Sequence, residues 1–142
     1  MHRTNRYRSS CLRFKLFGYP KGIGIIATGH GTQWALEASD ILTERGVDHS
    51  VLHVPTIKPV NENEIADYAF GHNQIVTVEN HQIVTGLGSL VTEIVSDIGG
   101  GPRITRLGLP NRWAPGGTMA HIRGQLGLDA KTLATRIAEV TQ

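Results

Sequence analysis

Residues 23–31 of this 142-residue chain are IGIIATGHG, an apolar run that ends in a glycine-rich turn. An apolar run of this length, without polar alternation, is typical of a strand buried on both faces of a sheet. Behind the turn, apolar residues recur at helical spacing until Gly46. The stretch therefore predicts a buried strand followed by a helix that is capped by Thr32 and ends near Gly46.

The same pairing of strand and helix recurs along the chain. Further strands are predicted over residues 51–54, 74–78 and 103–107, with an alternating edge strand over 12–16. A helix is predicted over 61–70, with Asn61 and Glu64 forming a capping box at its start. Another is predicted over 87–98, with Ile98 facing inward. Two short helices are predicted near the C-terminus, capped by Thr118 and Asp129. Because parallel strands need crossover helices, this alternation predicts a three-layer α/β domain with a mostly parallel sheet covered on both faces.

Length and composition fit one domain, since 142 residues that are 39% hydrophobic can bury a single core. No apolar run approaches the roughly 18 residues that a membrane-spanning helix needs, so we expect no membrane association. The chain has one cysteine, Cys11, and its N-terminus lacks the pattern of a signal peptide. We expect a cytoplasmic location.

Positive charge is concentrated at the N-terminus. No acidic residue precedes Glu37, whereas six basic residues do: Arg3, Arg6, Arg8, Arg13, Lys15 and Lys21. This division predicts a basic arm over residues 1–21 and a domain over 22–142. The arm fits either a solvated tail or a contact with an acidic partner; aromatic residues for base stacking are sparse, so we expect no nucleic acid.

Several short segments follow one another in a distinctive order. They are residues 25–29 (IIATG), 35–38 (ALEA), 54–59 (VPTIKP), 75–81 (IVTVENH), 86–89 (GLGS), 106–110 (RLGLP) and 127–129 (GLD). In this order and spacing, over roughly residues 22–140, the chain resembles the C-terminal domain of transketolase and its relatives, including pyruvate dehydrogenase beta subunits and deoxyxylulose phosphate synthase.

The resemblance implies a five-stranded, mainly parallel α/β domain within a thiamine diphosphate transferase that moves a two-carbon ketol unit between sugar phosphates. It implies that thiamine diphosphate and magnesium bind between two other modules, at a dimer interface. The family's Gly-Asp-Gly motif for magnesium diphosphate is missing here, so we expect no cofactor, no metal and no catalytic residue in this chain alone. The expected partners are the missing cofactor-binding modules, with a homodimer as a further possibility.

Two glycine turns are candidates for binding an anion. Gly29-His30-Gly31 and Gly86-Leu87-Gly88 each lie between a predicted strand and helix, where backbone amides and the helix dipole favour negative charge. In a parallel sheet both turns would lie at the same edge. The alternative is that these glycines only let the chain turn tightly.

Polar side chains follow the predicted strand over 74–78. Glu79 and His81 at this position could share a proton, but strand ends commonly carry such residues for capping or interface contacts, and we expect that use here. The candidate anion-binding or interface residues are Gly29, His30, Gly31, Glu79, Asn80, His81, Gly86, Gly88 and Ser89. Trp113, in a loop rich in Pro and Gly, fits either an interface or the cover of the core.

Overall fold

The computed structural model describes residues 14–113 and 116–141. Its strands are β1 (Lys15–Phe17), β2 (Ile23–Ala27), β3 (His49–His53), β4 (Gln74–Gln82) and β5 (Arg103–Leu109). Its helices are α1 (His30–Glu44), α2 (Glu62–Phe70), α3 (Leu87–Ile98), α4 (Met119–Gln125) and α5 (Ala130–Ala138), followed by a short 3-10 turn (Glu139–Thr141). Within this part of the chain every helix falls short of the length and apolar character needed to cross a membrane.

The five strands form one sheet in the order β1-β3-β2-β4-β5. The pairs β2–β3, β2–β4 and β4–β5 are parallel, and β1 alone runs antiparallel, with Lys15 opposite His53. The predicted three-layer α/β class with a mostly parallel sheet is confirmed. An edge strand was expected over residues 12–16; the observed strand is Lys15–Phe17, and residues 12 and 13 lie outside the described part, as does Cys11.

Two apolar clusters cover the two faces of the sheet. On one face, α1 and α5 pack over β2 and β4, with side chains such as Trp34, Leu133 and Val76 in contact. On the other face, α2 and α3 pack through Ile65, Val91 and their neighbours. Since β2 is buried along its whole length, its continuous apolar run follows from helices lying above and below it.

Most predicted helix starts are confirmed, and one is wrong. The side chains of Thr118 and Asp129 accept hydrogen bonds from amides in the first turns of α4 and α5, and Asn61 does the same for α2. Thr32, however, does not cap α1. The N-cap of that helix is Gly29, three residues earlier, and the helix begins at His30, because Gly29 adopts φ 56°, a backbone conformation that glycine takes easily.

Strand β4 is longer than its apolar run. It was expected to end at Val78, but pairing with β5 continues through an irregularity to Gln82, which lies opposite Leu109. The residues from Glu79 to His81 therefore lie within the strand and not behind it. A second difference concerns Ile98, which was expected to face inward; it is the last residue of α3, and 59% of it is exposed.

Candidate functional site at the carboxyl edge of the sheet

The last polar residues of β4 face different environments because side chains alternate along a strand. Glu79 is completely buried on the face covered by α3, whereas Asn80 is half-buried beside the turn that opens α1. His81 is exposed. These residues lie at the carboxyl edge, which we define as the edge formed by the carboxyl ends of β2 to β5.

Glu79 binds the N-terminus of α3. Its Oε1 accepts a hydrogen bond from the amide of Leu87 at 2.9 Å, and its Oε2 accepts one from the amide of Gly88 at 2.8 Å. A helix N-terminus favours an anion because its first amides have no partner within the helix and the helix dipole is positive there. The negative charge at the second glycine turn is thus supplied by the chain itself.

Glycines leave the space that this buried carboxylate occupies. A Cβ atom at Gly86 would collide with Oε1 of Glu79, and a Cβ atom at Gly108 would lie 2.9 Å from its Cγ. A Cβ atom at Gly31 would lie 2.7 Å from the Cα of Glu79. Three glycines therefore surround Glu79: Gly31 in α1, Gly86 before α3 and Gly108 in β5. A larger side chain at Gly86 or Gly108 would displace the side chain of Glu79, and one at Gly31 would press on its backbone.

Burial raises the pKa of Glu79 above its ordinary value of 4.5. The hydrogen bonds from Gly88 and Leu87, and the nearby charges of His81 and Arg106, lower the pKa and offset part of this effect. Both carboxylate oxygens accept amide hydrogen bonds, and the described contacts include no hydrogen bond between Glu79 and His81 through which the two could share a proton.

The first glycine turn has a different partner. A Cβ atom at Gly29 would lie 2.9 Å from Oδ1 of Asn80, and that oxygen is buried without a hydrogen-bond partner in the described part of the chain. Helix α1 has no side-chain cap, and His30 at its start is exposed. Thr32, in the first turn, places its Oγ1 2.7 Å from Nδ1 of His53.

The structure keeps the two glycine turns apart, since α1 and α3 cover opposite faces of the sheet. Asn80 lies against the first turn and Glu79 against the second. Ser89 stabilises the second turn: its hydroxyl donates to the carbonyl of Ile83 and accepts from the amide of Thr85. A single site that combines both turns is not formed by this arrangement.

The described residues do not fit a magnesium diphosphate group. In residues 14–113 and 116–141, no three His, Cys, Asp or Glu side chains are grouped so that they could hold a metal ion. The amides of Leu87 and Gly88, which a phosphate would need, already donate to Glu79. We therefore derive no chemistry that passes through a metal or a diphosphate in this chain.

Sequence reasoning selected Glu79, Gly86 and Gly88 but did not select Gly108. Glycine within a strand is a sign that another group approaches the backbone closely. The predicted strand ended at residue 107, so this sign was not available in the sequence. Gly108 lies within β5 because that strand continues to Leu109, and Gly108 meets Glu79 only where β4 pairs with β5.

The chain is thus a three-layer α/β domain in which the carboxylate of Glu79 occupies the N-terminus of α3 at the carboxyl edge. Residues 21–133 match the family model of the transketolase C-terminal domain. The chain belongs to this family.

Known relatives are longer than this chain. It is 35% identical over 119 residues to 1-deoxy-D-xylulose-5-phosphate synthase of Magnetococcus marinus, covering 82% of this chain and 19% of that protein. It is 35% identical over 115 residues to a putative transketolase C-terminal section of Methanocaldococcus jannaschii, covering 81% of this chain and 35% of that protein. The chain thus spans well under half the length of both relatives.

A solved structure shows the same fold. A split gene transketolase, described as an inactive beta4 tetramer, superimposes with a TM-score of 0.79 at 26% identity, over 89% of this chain and 41% of that chain. A transketolase from Pichia stipitis superimposes with a TM-score of 0.64 at 20% identity, which is evidence for the fold alone.

Proposed function

We propose that this chain is the structural, dimer-stabilising C-terminal module of a transketolase-type thiamine diphosphate enzyme and is not catalytic by itself. The whole enzyme would transfer a ketol unit between sugar phosphates. Thiamine diphosphate and magnesium would be held by the cofactor-binding modules, which are the expected partners of this chain, and the assembly would be a cytoplasmic dimer.

One observation supports the structural role above all others. Glu79 has the chemistry of a general base, but it is completely buried and both of its carboxylate oxygens accept amide hydrogen bonds from α3. A general base must lie within hydrogen-bond reach of a substrate proton. A buried carboxylate that accepts two amide hydrogen bonds from α3 instead joins β4 to that helix and stiffens the carboxyl edge.

The proposal is tested by reconstitution. The full chain is mixed with separately produced cofactor-binding modules of a transketolase-type enzyme from the same organism, with thiamine diphosphate and magnesium present. We expect a complex at micromolar concentrations, a higher melting temperature of the modules and a gain in ketol transfer. Absence of any complex at these concentrations would contradict the proposal.

A second candidate function is the binding of a small anion or sugar phosphate at the first glycine turn, formed by Gly29, His30 and Gly31. The first turn of α1 favours this candidate, because no side chain caps its amides. The second turn, at Gly86 and Gly88, already holds the carboxylate of Glu79.

Phosphate and Asn80→Asp together test the second candidate. If the first turn binds phosphate, the melting temperature of the chain rises with phosphate, and Asn80→Asp removes this rise because its carboxylate takes the place of the anion. Asn73→Asp, an exposed substitution at the opposite edge, is the matched control. A melting temperature that does not respond to phosphate would eliminate this function.

A further inference from the structure

Trp113 is the most exposed large apolar side chain in the described part of the protein, at 98%. An indole ring can bury a large apolar area and also donate a hydrogen bond, so tryptophan is enriched where proteins bind each other. The other tryptophan, Trp34, is only 6% exposed and belongs to the core. Trp113 is therefore outside the core, and its ring is accessible to another molecule.

A groove lies beside this side chain. It has a volume of about 580 Å³ and is lined mainly by Gln82, Leu109, Pro110, Arg112, Trp113 and Leu126; we call it the Trp113 groove. Gln82 ends β4 and Leu109 ends β5, so the groove opens at the carboxyl edge. Its lining includes aliphatic side chains, one aromatic ring and one arginine.

Hydrogen bonds and an ion pair hold the elements beside the groove. The carbonyl of Leu109 accepts a hydrogen bond from the amide of Ile83 at 3.0 Å, which fixes the end of β5 to β4, and the amide of Arg112 donates to the carbonyl of Pro110 at 2.7 Å within the loop itself. On the other side, Arg123 of α4 forms an ion pair of 2.7 Å with Glu37. The end of β5 and the Arg123 contact therefore position two sides of the groove.

The segment that supplies most of the groove carries only positive charge. From Pro110 to Leu126 it contains Arg112 and Arg123 and no acidic residue. Arg123 is paired with Glu37, and Arg106 donates to the carbonyl of Ile83. For the guanidinium of Arg112, the described residues provide no hydrogen-bond or ion-pair partner, although the side chain lies directly beside Trp113.

We propose that the Trp113 groove is the surface through which this module binds its cofactor-binding modules, and that it receives an apolar side chain flanked by a carboxylate. This inference rests on the proposed function. Complementary charge supports it, because Arg112 lacks an acidic partner within the described chain. The lengths of the relatives support it too: this chain spans 19% and 35% of two of them, so the domain is joined there to much more protein.

Two substitutions remove the two chemical features of the groove. Trp113→Ala removes the aromatic surface, and Arg112→Glu reverses the unpaired charge. Both residues are exposed, so neither substitution disturbs the core. The matched controls lie at the opposite edge: Ile98→Ala removes another exposed apolar side chain, and Arg103→Glu reverses another exposed arginine at the start of β5.

Affinity for the cofactor-binding modules is measured by calorimetry for the wild-type chain and the four variants. We expect Trp113→Ala to weaken binding about 30-fold and Arg112→Glu about 10-fold, as for buried aromatic and charged residues at the centre of an interface. The two control variants should bind as the wild type does. Tryptophan emission should shift to shorter wavelength on binding, and this shift should be lost in Trp113→Phe.

The possible results separate the two proposals. If the wild-type chain binds and all four variants bind equally well, the inference about the groove is overturned while the proposed function stands. If the wild-type chain does not bind at micromolar concentrations, both are overturned. Sedimentation of the chain alone is the remaining check: self-association that depends on Trp113 would identify a second copy as the occupant and would overturn the inference.

Discussion

Glu79 is the residue on which the carboxyl edge depends. It links the end of β4 to the first turn of α3 through two hydrogen bonds to backbone amides. Those amides are buried with it, so removing the carboxylate would leave both without a partner. Leaving a buried donor unpaired costs more free energy than an average hydrogen bond contributes to stability. Substitution of Glu79 should therefore destabilise the fold more than its position near the end of a strand indicates.

Glu79→Ala should destabilise the chain by about 2–5 kcal/mol, because it leaves the Leu87 and Gly88 amides unpaired and opens a cavity. The free energy of unfolding is measured by urea denaturation. Glu93→Gln, an exposed acidic residue on the same helix, is the control and should change stability by less than about 0.5 kcal/mol. Equal denaturation midpoints for wild type and Glu79→Ala would refute this role.

The raised pKa of Glu79 makes its contribution depend on pH. Because the folded state holds this proton more tightly than the unfolded chain, stabilisation is fully present below the ordinary pKa of 4.5 and is lost as pH rises through the raised folded-state pKa. The difference in unfolding free energy between wild type and Glu79→Ala should therefore decrease as pH rises above 4.5. Urea titrations of both proteins across this range measure it; a difference that increases with pH would contradict the sign.

At the scale of elements, helix α4 is attached to the core in an unusual way. None of its residues is buried, so it lacks the apolar face that normally holds a helix to a domain. Its attachment depends instead on Arg123, which pairs with Glu37, donates to the carbonyl of Leu128 and lies 5.0 Å from the centre of the Trp34 ring. One long side chain thus replaces a packed interface.

Arg123→Ala should loosen α4 while the sheet remains folded. We expect a loss of about 1–2 kcal/mol, since the substitution removes hydrogen bonds of a charged group and its contact with an aromatic ring. Hydrogen exchange should become faster at the amides of α4 and remain unchanged in β2. Lys131→Ala, an exposed cation on α5, is the control. Unchanged exchange in α4 would mean that other contacts hold the helix.

At the scale of the whole molecule, we predict how the isolated chain behaves toward the cofactor. The isolated chain should take up neither thiamine diphosphate nor magnesium at micromolar concentrations, because the described residues provide no metal-ligand cluster and the second glycine turn is filled by Glu79. Calorimetry of the full chain with both compounds measures this, with a complete transketolase as the positive control. Tight uptake by the chain alone would overturn the division of roles proposed above.

Local patterns predicted much of the architecture. The apolar run of β2, the caps at Asn61, Thr118 and Asp129, and the order of elements all depend on residues close together in sequence, and all are confirmed. Errors occurred where a distant contact changes a local preference. Thr32 has the side chain of a cap, but its hydroxyl contacts His53 of β3 and the helix begins earlier, after Gly29.

The candidate site was predicted in its members and not in its arrangement. Glu79, Asn80 and the two glycine turns were selected from the sequence, but adjacent residues of β4 point to opposite faces and so reach different turns. Gly108 was not selected, because its contact with Glu79 depends on the pairing of β4 with β5. Arg112 and Trp113 can be picked out in the sequence, but the sequence does not predict that both side chains are exposed.

The sequence by itself determined that strands and helices alternate around a buried, mostly parallel sheet, because the period of apolar residues and the chemistry of caps act over a few neighbouring positions. Only the tertiary structure decided that the carboxylate of Glu79 fills the anion-binding end of α3 and that Trp113 remains outside the core. Both facts depend on how far β4 extends along β5 and on which face each helix covers, and these are set by contacts between residues that are distant in the chain.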